Sequence, residues 1–318
     1  MPASNVSRRT GLFASLTLAL ALLQGCGVAL RGVSSSRGPV GVVRGTVIAA
    51  DGRTPIADAT VALDGAAVMT RSGPDGSYTL KGVPAGSQVI VASRGVFTSR
   101  SRAEVRPDAV TRASDMPLRS GGKLAFVRGA TDTIEEIVDR LLGNPIDEIR
   151  ASDLGDATIT AQYRMILLNC GLDEALATDP AIVRNLREFV RAGGTLYASD
   201  HAAGYVHGIV PEFMARHDGQ EQVVLATLTD PRLAAFVGRT RVNVHYDLGA
   251  WATIASMPEA ARVLARGTVV ADSVLSRSAP LAIEIPLGAG RVIFTTFHNR
   301  AGVTEEQVSV LKHFVYLP

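Results

Sequence analysis

Between Asp179 and Tyr205 the chain reads DPAIVRNLREFVRAGGTLYASDHAAGY, an order of properties that few folds accommodate. Asp179 can cap a helix and Pro180 can take its first position. Ile182, Val183, Leu186, Phe189 and Val190 then recur at helical spacing until Gly193 and Gly194 end the run. Thr195 to Ala198 follow without alternation, as in a strand covered on both faces, and the run stops abruptly at Ser199, Asp200 and His201. In an open parallel α/β sheet the crevice outside the carboxyl ends of the strands is where ligands bind. Ser199, Asp200 and His201 are therefore the first candidate site residues.

The same period extends over residues 120–318. Lys123 to Val127 reads as a buried strand, and Asp132-Thr133-Ile134-Glu135 opens a helix that carries Ile134, Ile137, Val138 and Leu141 as far as Gly143. Tyr163 to Asn169 is a second apolar strand. Repeated strand and helix predict a largely parallel sheet with right-handed crossovers. Further strands are expected at Gln222 to Leu225 and Arg241 to His245, with a helix from Asp230 to Val237 between them. Pro280 to Ile285 and Arg291 to Thr296 form a hairpin pattern across Leu287-Gly288-Ala289-Gly290. A capping box at Thr304 to Gln307 starts a last helix that buries Val308, Leu311, Phe314 and Val315.

Residues 40–119 have a different texture. Val42 to Ile48, Ala59 to Leu63, Ala67 to Arg71, Ser77 to Leu80 and Gln88 to Ser93 are short strands. Asp51-Gly52, Asp64-Gly65, Asp75-Gly76 and Pro84-Ala85-Gly86 punctuate them. Strands so spaced must bury one face against a second layer, which makes a β-sandwich. Each of the three Asp residues precedes a Gly, so turn formation accounts for them better than calcium ligation. The order Gly45-Thr46-Val47, Pro55-Ile56, Ala59-Thr60-Val61, Asp75-Gly76-Ser77-Tyr78 and Gly82-Val83-Pro84-Ala85-Gly86 resembles the carboxypeptidase regulatory-like domain, a transthyretin-like sandwich. That resemblance implies a spacer or binding module without catalysis.

The first 25 residues carry charge only at Arg8 and Arg9, followed by an apolar segment from Leu12 to Leu23 and then Leu23-Gln24-Gly25-Cys26. The segment is short for a folded transmembrane helix and has the layout of a secretory signal. Leu23-Gln24-Gly25-Cys26 resembles the lipobox of bacterial lipoproteins, which implies cleavage before Cys26, palmitate or related acyl chains on it, and a membrane anchor. Ser7 to Phe13 also resembles a twin-arginine signal. Gly27 in place of the Asp that retains many lipoproteins at the inner membrane implies the outer membrane. Residues 26–39, rich in Gly and Ser, read as a flexible tether.

With 318 residues, 47% of them hydrophobic and 19% charged, the chain is long enough for about two domains and too apolar for disorder. Residues 26–120 hold 12 Lys and Arg against 7 Asp and Glu, whereas residues 121–318 hold 18 against 23. The basic half suits an anionic lipid surface or a solvated Arg-rich face, and no nucleic-acid signature accompanies it. Once Cys26 is acylated, Cys170 is the remaining thiol and no internal disulfide can form. Within Met165 to Cys170 it reads as a buried small side chain.

Tyr163 to Asn169, Phe189 to Leu196 and Gly288 to Phe294 resemble the class I glutamine amidotransferase-like fold, in particular its ThuA-like branch, which implies flavodoxin-type layering. In amidotransferases a Cys at a strand-to-helix elbow is the nucleophile, with a late His as base and a carboxylate two residues beyond it. Here the elbow offers Ser199 and Asp200. His298 matches the late His, and Arg300 stands where the carboxylate belongs. Cys170 ends the preceding strand and is followed by Gly171-Leu172, so it is not read as a replacement nucleophile.

Three arrangements remain open. Ser199, His298 and Asp200 or Glu305 could form a serine hydrolase. Asp200, His201 and His298, with His245 or Asp247, could hold a metal, although their spacing matches no ligand motif. The same residues with Asn169 and Asn299 could instead close the crevice as a buried polar network. His207, His217 and His313 read as surface or helix-face residues and Trp251 as core filler.

No cofactor motif is present. The expected protein is a lipid-anchored envelope lipoprotein that serves binding or structure, with a carbohydrate or protein ligand and a degenerate amidotransferase-like domain. A hydrolase or metal-dependent enzyme at Asp200 and His298 is the alternative. Mass spectrometry of the mature N-terminus is expected to find acylated Cys26 and no residue before it; an intact Met1 would overturn the lipoprotein reading.

Overall fold

The computed structural model describes residues 38–95, 97–120, 122–141, 143, 145–271, 275–299 and 303–316. The leader, Cys26 and the tether up to residue 37 lie outside the described residues, as does Arg300.

The first sheet contains β1 (Val40–Ala49), β2 (Thr60–Leu63), β3 (Met69–Arg71), β4 (Ser77–Pro84), β5 (Gly86–Arg94), β6 (Phe97–Val105), β7 (Val110–Arg112) and β8 (Met116–Ser120). Their order is β3-β2-β5-β6-β8-β1-β4, with β7 also on β1. Residues 40–46 of β1 pair antiparallel with β4, and residues 47–49 pair in parallel with β8. One long strand thus serves both layers of a sandwich whose core includes Val47, Ile56, Val61, Leu80, Ile90 and Leu118. The turn aspartates do what Asp-Gly pairs do. Asp51 Oδ1 accepts from the amides of Arg53 and Thr54, and Asp75 Oδ1 from that of Ser77.

The second sheet takes up β9 (Lys123–Val127), β10 (Ile146–Ile149), β11 (Tyr163–Leu168), β12 (Thr195–Ser199), β14 (Gln222–Leu228), β15 (Arg241–Tyr246), β17 (Arg262–Ala271), β18 (Leu275–Leu287) and β19 (Gly290–Thr295). β13 (Met214–Arg216) and β16 (Thr253–Ser256) pair separately. The helices are α1 (Ile134–Glu136), which runs into a π-helical turn over Ile137–Leu141, α2 (Ala157–Thr160), α3 (Pro180–Arg191), α4 (Ala203–Ile209), α5 (Pro231–Val237) and α6 (Glu305–Val315). The strand order is β10-β9-β11-β12-β19-β18-β17-β14-β15.

The sheet is mixed, which corrects the expectation of a largely parallel one. β10, β9, β11, β12 and β19 run parallel, whereas each pair from β19 to β15 is antiparallel. Parallel pairs need long crossovers, and the later connections include the short hairpin from Leu287 to Gly290. There the backbone must come close: a Cβ on Gly290 would lie 2.2 Å from the carbonyl oxygens of Gly194 and Val190. α3 forms as its sequence predicts. The Asp179 side chain accepts from the amides of Ala181 and Ile182, and Ile182, Leu186, Phe189 and Val190 are buried beneath the helix.

The two sheets share a core. One apolar cluster runs from Val47 and Phe97 through Leu124, Phe126 and Leu311 to Tyr316, and the Phe97 and Tyr316 rings lie 4.4 Å apart. The end of the last helix makes the link, since His313 and Tyr316 meet Arg94 and Phe97 of the first sheet. Arg94 is buried at the junction. Its Nε donates to the Tyr316 carbonyl at 2.7 Å, Nη1 to the Ala57 carbonyl, and Nη2 to His313 Nδ1 at 2.8 Å, while its guanidinium lies 4.6 Å above the Phe236 ring. Of the two places expected for His313, surface or helix face, it takes a buried face of α6, where its imidazole accepts from Arg94 and is therefore neutral.

Burial, with Arg94 adding repulsion, lowers the His313 pKa from 6.5 to about 3. A depressed histidine pKa contributes stability that is present above the unfolded value and lost as pH falls through the folded one. Denaturation midpoints should therefore decline between about pH 6.5 and about pH 3, and this limb should flatten in His313→Phe. Arg94→Ala strands two carbonyls and an imidazole nitrogen and is expected to cost on the order of 3–5 kcal/mol in chemical denaturation. An unchanged midpoint would show that the sheets hold together without this arginine.

Candidate functional site

Parallel register brings four strand ends level. Leu168 of β11 pairs with both Val127 of β9 and Ala198 of β12, and Ser199 pairs with Thr295 of β19. The residues just past those ends are Asn169, Cys170, Asp200, His298 and Asn299, with Asp132 descending from the loop after β9. Sequence neighbours of different strands therefore become spatial neighbours. Gly129 makes the loop's approach feasible, since a Cβ there would lie 2.0 Å from the Cys170 carbonyl oxygen.

Asp132 is the hub. Its Oδ1 accepts from the Asn299 amide at 2.9 Å, and its Oδ2 from the Cys170 amide at 3.2 Å and from Ser199 Oγ. Burial raises its pKa, with Ser199, His298 and the two amides opposing. Asn169 Nδ2 donates to Glu135 Oε2 at 2.8 Å and to the Asp132 carbonyl at 3.3 Å. Asn299 Nδ2 donates to the Tyr197 hydroxyl, which also shares a proton with Thr295 Oγ1 at 2.7 Å.

Asp200 occupies the elbow with φ +46°, a left-handed conformation that costs a side-chain-bearing residue about 1–3 kcal/mol. Its Oδ1 accepts from the Ala252 amide, and its Oδ2 lies 2.7 Å from His298 Nε2. The two expected partners thus meet, at 1% and 8% side-chain exposure. His298 Nδ1 lies 3.6 Å from Asp247 Oδ1. Burial pushes the His298 pKa down, but hydrogen bonds to Asp200 and Cys170 and the charges of Asp132 and Asp200 outweigh it, lifting the value from 6.5 to about 10.

Cys170 departs from the inert role read from sequence. It is buried at 2% exposure, yet its Sγ lies 3.2 Å from His298 Nε2 and 3.6 Å from Asp200 Oδ2. Strand order explains this: β11 is the neighbour of β12, so the residue ending one strand faces the elbow of the next. Cys170, Asp200 and His298 form one group with metal-ligand donors in mutual reach, and Glu174, His201 and His217 form a second, exposed group.

Among the other candidates, Ser199 Oγ faces Asp132 and the Leu168 carbonyl, and it does not serve His298 as a nucleophile would. His201 turns to the surface, 3.7 Å from Glu174 Oε1 and stacked on His217 with ring centroids 4.1 Å apart. His245 is exposed on β15, and Glu305 is exposed in the first turn of α6. Trp251 stacks on Tyr246 in the core. Sequence reasoning missed Asp132 and Glu135, taken there as helix openers. The signal was present, since they too follow the carboxyl end of a buried strand.

Beside this cluster lies an open cleft of about 810 Å³ outside the ends of β9, β10 and β11. Arg128, Glu148, Arg150, Asp153 and Asp173 line it.

Residues 42–119 match the carboxypeptidase regulatory-like domain. No curated protein matches the chain. Among solved structures, similarity is found to a ThuA-like protein from Bacteroides uniformis, with 12% identity, TM-score 0.44 and coverage of 60% of this chain and 87% of that one. A GMP synthase component from Thermoplasma acidophilum gives 10%, 0.45, 61% and 92% in the same order. The β-galactosidase of Rahnella sp. R3 gives 15%, 0.41, 62% and 32%. Identities this low say nothing about chemistry. The regulatory-like module ends just before β9 and supplies Arg94 to the shared interface.

A raised histidine pKa contributes stability fully present below the unfolded value and lost as pH rises through the folded one. In chelator-treated protein, stability is therefore expected to fall between about pH 6.5 and about pH 10, and His298→Ala should remove that limb. A wild-type midpoint flat over this range would show that His298 is not held as a cation.

Proposed function

We propose that this chain is a bacterial envelope lipoprotein anchored through Cys26, facing away from the cytoplasm and residing at the outer membrane. Its second half is a degenerate amidotransferase-like domain that binds a ligand or serves envelope structure. The observation that carries the reading is the mutual engagement of Asp200 and His298, 2.7 Å apart and nearly without exposure, at the elbow where an amidotransferase needs a free thiol. Both groups are committed to neighbours rather than offered to a substrate. The open space lies one strand away, in the polar cleft around Arg128 and Arg150. Its lining of both charges suits a carbohydrate or a polar protein segment, and the regulatory-like module fits a spacer between membrane and cleft.

One observation favours a second reading, a cysteine hydrolase. Cys170 Sγ, His298 and Asp247 stand in the order nucleophile, base and orienting carboxylate, with contacts of 3.2 and 3.6 Å. Asp200 competes for the same imidazole nitrogen at a shorter distance, which weighs against it.

Asp200→Ala and His298→Ala, made singly and together, separate the two. The binding reading expects each single change to cost on the order of 3–5 kcal/mol, the double change to cost much less than their sum, and no glutaminase or esterase turnover in wild type. Wild-type turnover lost in variants of unchanged stability would establish the enzyme instead.

A further inference from the structure

We propose that Cys170, Asp200 and His298 form a binding site for one divalent transition metal of zinc type. This goes beyond the binding reading above, which places its ligand in the neighbouring cleft, and gives the buried cluster a role of its own. The three donors come from the ends of β11, β12 and β19, three adjacent parallel strands, and their atoms converge: Oδ2 to Nε2 is 2.7 Å, Sγ to Nε2 3.2 Å and Sγ to Oδ2 3.6 Å. Zinc bonds of about 2.0–2.3 Å at tetrahedral angles place donor atoms about 3.3–3.7 Å apart. The thiol contacts already approach that spacing, and only the contact between carboxylate and imidazole must open, by about 0.6 Å. Thiolate, imidazole and carboxylate are each zinc ligands, and the thiolate disfavours magnesium and calcium.

The partners behind the donors are those a metal site needs. His298 turns Nδ1 toward Asp247 Oδ1 at 3.6 Å, which leaves Nε2 on the side of the other two donors as the ligand nitrogen. Asp200 Oδ1 accepts from the Ala252 amide, which aims Oδ2 at the cluster. Asp200 makes these contacts from a left-handed backbone, a strained conformation of the kind found at ligand sites. Two nearby buried acceptors, Asn169 Oδ1 and Asn299 Oδ1, have no partner among the described residues. Three protein donors leave a fourth position for water.

The surface group of Glu174, His201 and His217 is the natural competitor. It lies at the surface and lacks a thiol, so any metal there would be held more weakly.

The full-length chain is stripped with chelator and titrated with zinc, then with cobalt(II) as a spectroscopic substitute. One equivalent of zinc should bind and raise the melting temperature. The cobalt form should show a thiolate-to-metal charge-transfer band in the near ultraviolet. Cys170→Ser should abolish that band, Asp247→Asn should weaken zinc binding on the order of 10- to 100-fold, and His217→Ala should change neither. No stoichiometric zinc, a wild-type cobalt spectrum without the thiolate band, or binding that survives Cys170→Ser and disappears with His217→Ala would each overturn the assignment. The cobalt band is read on unaltered protein, so a variant that fails to fold does not leave the matter open. Thiol-dependent turnover by the metal-free chain would contradict the binding role while leaving metal affinity to be measured on its own. Absence of both turnover and metal would overturn this inference alone.

Discussion

The carboxylate of Asp132 holds the carboxyl end of the sheet together. Parallel strands leave their last polar groups side by side at one edge, and a buried edge must satisfy them internally. Asp132 reaches across from the loop after β9 to the amide of Cys170, the hydroxyl of Ser199 and the amide of Asn299, one contact for each of the next three strands. With those three positions fixed, Cys170, Asp200 and His298 have little choice but to converge. The cost is a buried acid whose pKa burial raises. The gain is a set of strand ends that cannot splay without losing several hydrogen bonds at once.

A second constraint acts from the opposite side of the same segment. His298 lies between β19 and α6, so its place depends on how that helix is held. Thr304 Oγ1 accepts from the Gln307 amide at the helix start, Gln307 Oε1 accepts from the His245 amide, and Arg94 grips the Tyr316 carbonyl and His313 at the helix end. Arg94 belongs to the regulatory-like module. The sandwich is therefore part of what positions the site, although none of the cluster's residues comes from it.

Local order was legible in the sequence wherever one segment decided its own structure. The helix from Pro180 to Arg191, the buried strand Thr195 to Ser199, the hairpin at Gly290 and the turn aspartates all follow from caps, periodicity and Gly placement. Beyond that hairpin, the antiparallel pairing of the second sheet was not legible, although three of its strands were. Its strand Arg262–Ala271 has a broken alternation of buried and exposed positions, and pairing partners are set by connections whose length alone does not reveal direction. Asp200 and His298 could be placed together because each ends a buried strand of one sheet. Cys170 is buried at the end of the strand beside the elbow, as read; what the sequence did not show is that its thiol reaches His298 and Asp200. The burial of His313 was not legible because its partner, Arg94, lies in a different module.

Arg128 joins the buried cluster to the open cleft, and the strengths of its contacts decide which way that link can work. It binds Glu148 with two hydrogen bonds of 2.9 and 2.7 Å and reaches Glu135 at 3.1 Å, while Glu135 in turn holds Asn169 beside Asp132. The pair with Glu148 is half exposed on both sides, so solvent and salt screen it. On the binding reading proposed above, an anionic group entering the cleft would compete with Glu148 for the outer face of the guanidinium. Glu135 is mostly buried and bonded to Asn169, so it does not leave as easily. On that reading, occupancy of the cleft would change the partner on the outer side of Arg128 while the inner side stays tied to the strand ends. A ligand bound there would leave the network beneath it in place, because the exposed half of the arginine's contacts faces solvent while Glu135 is buried and bonded to Asn169.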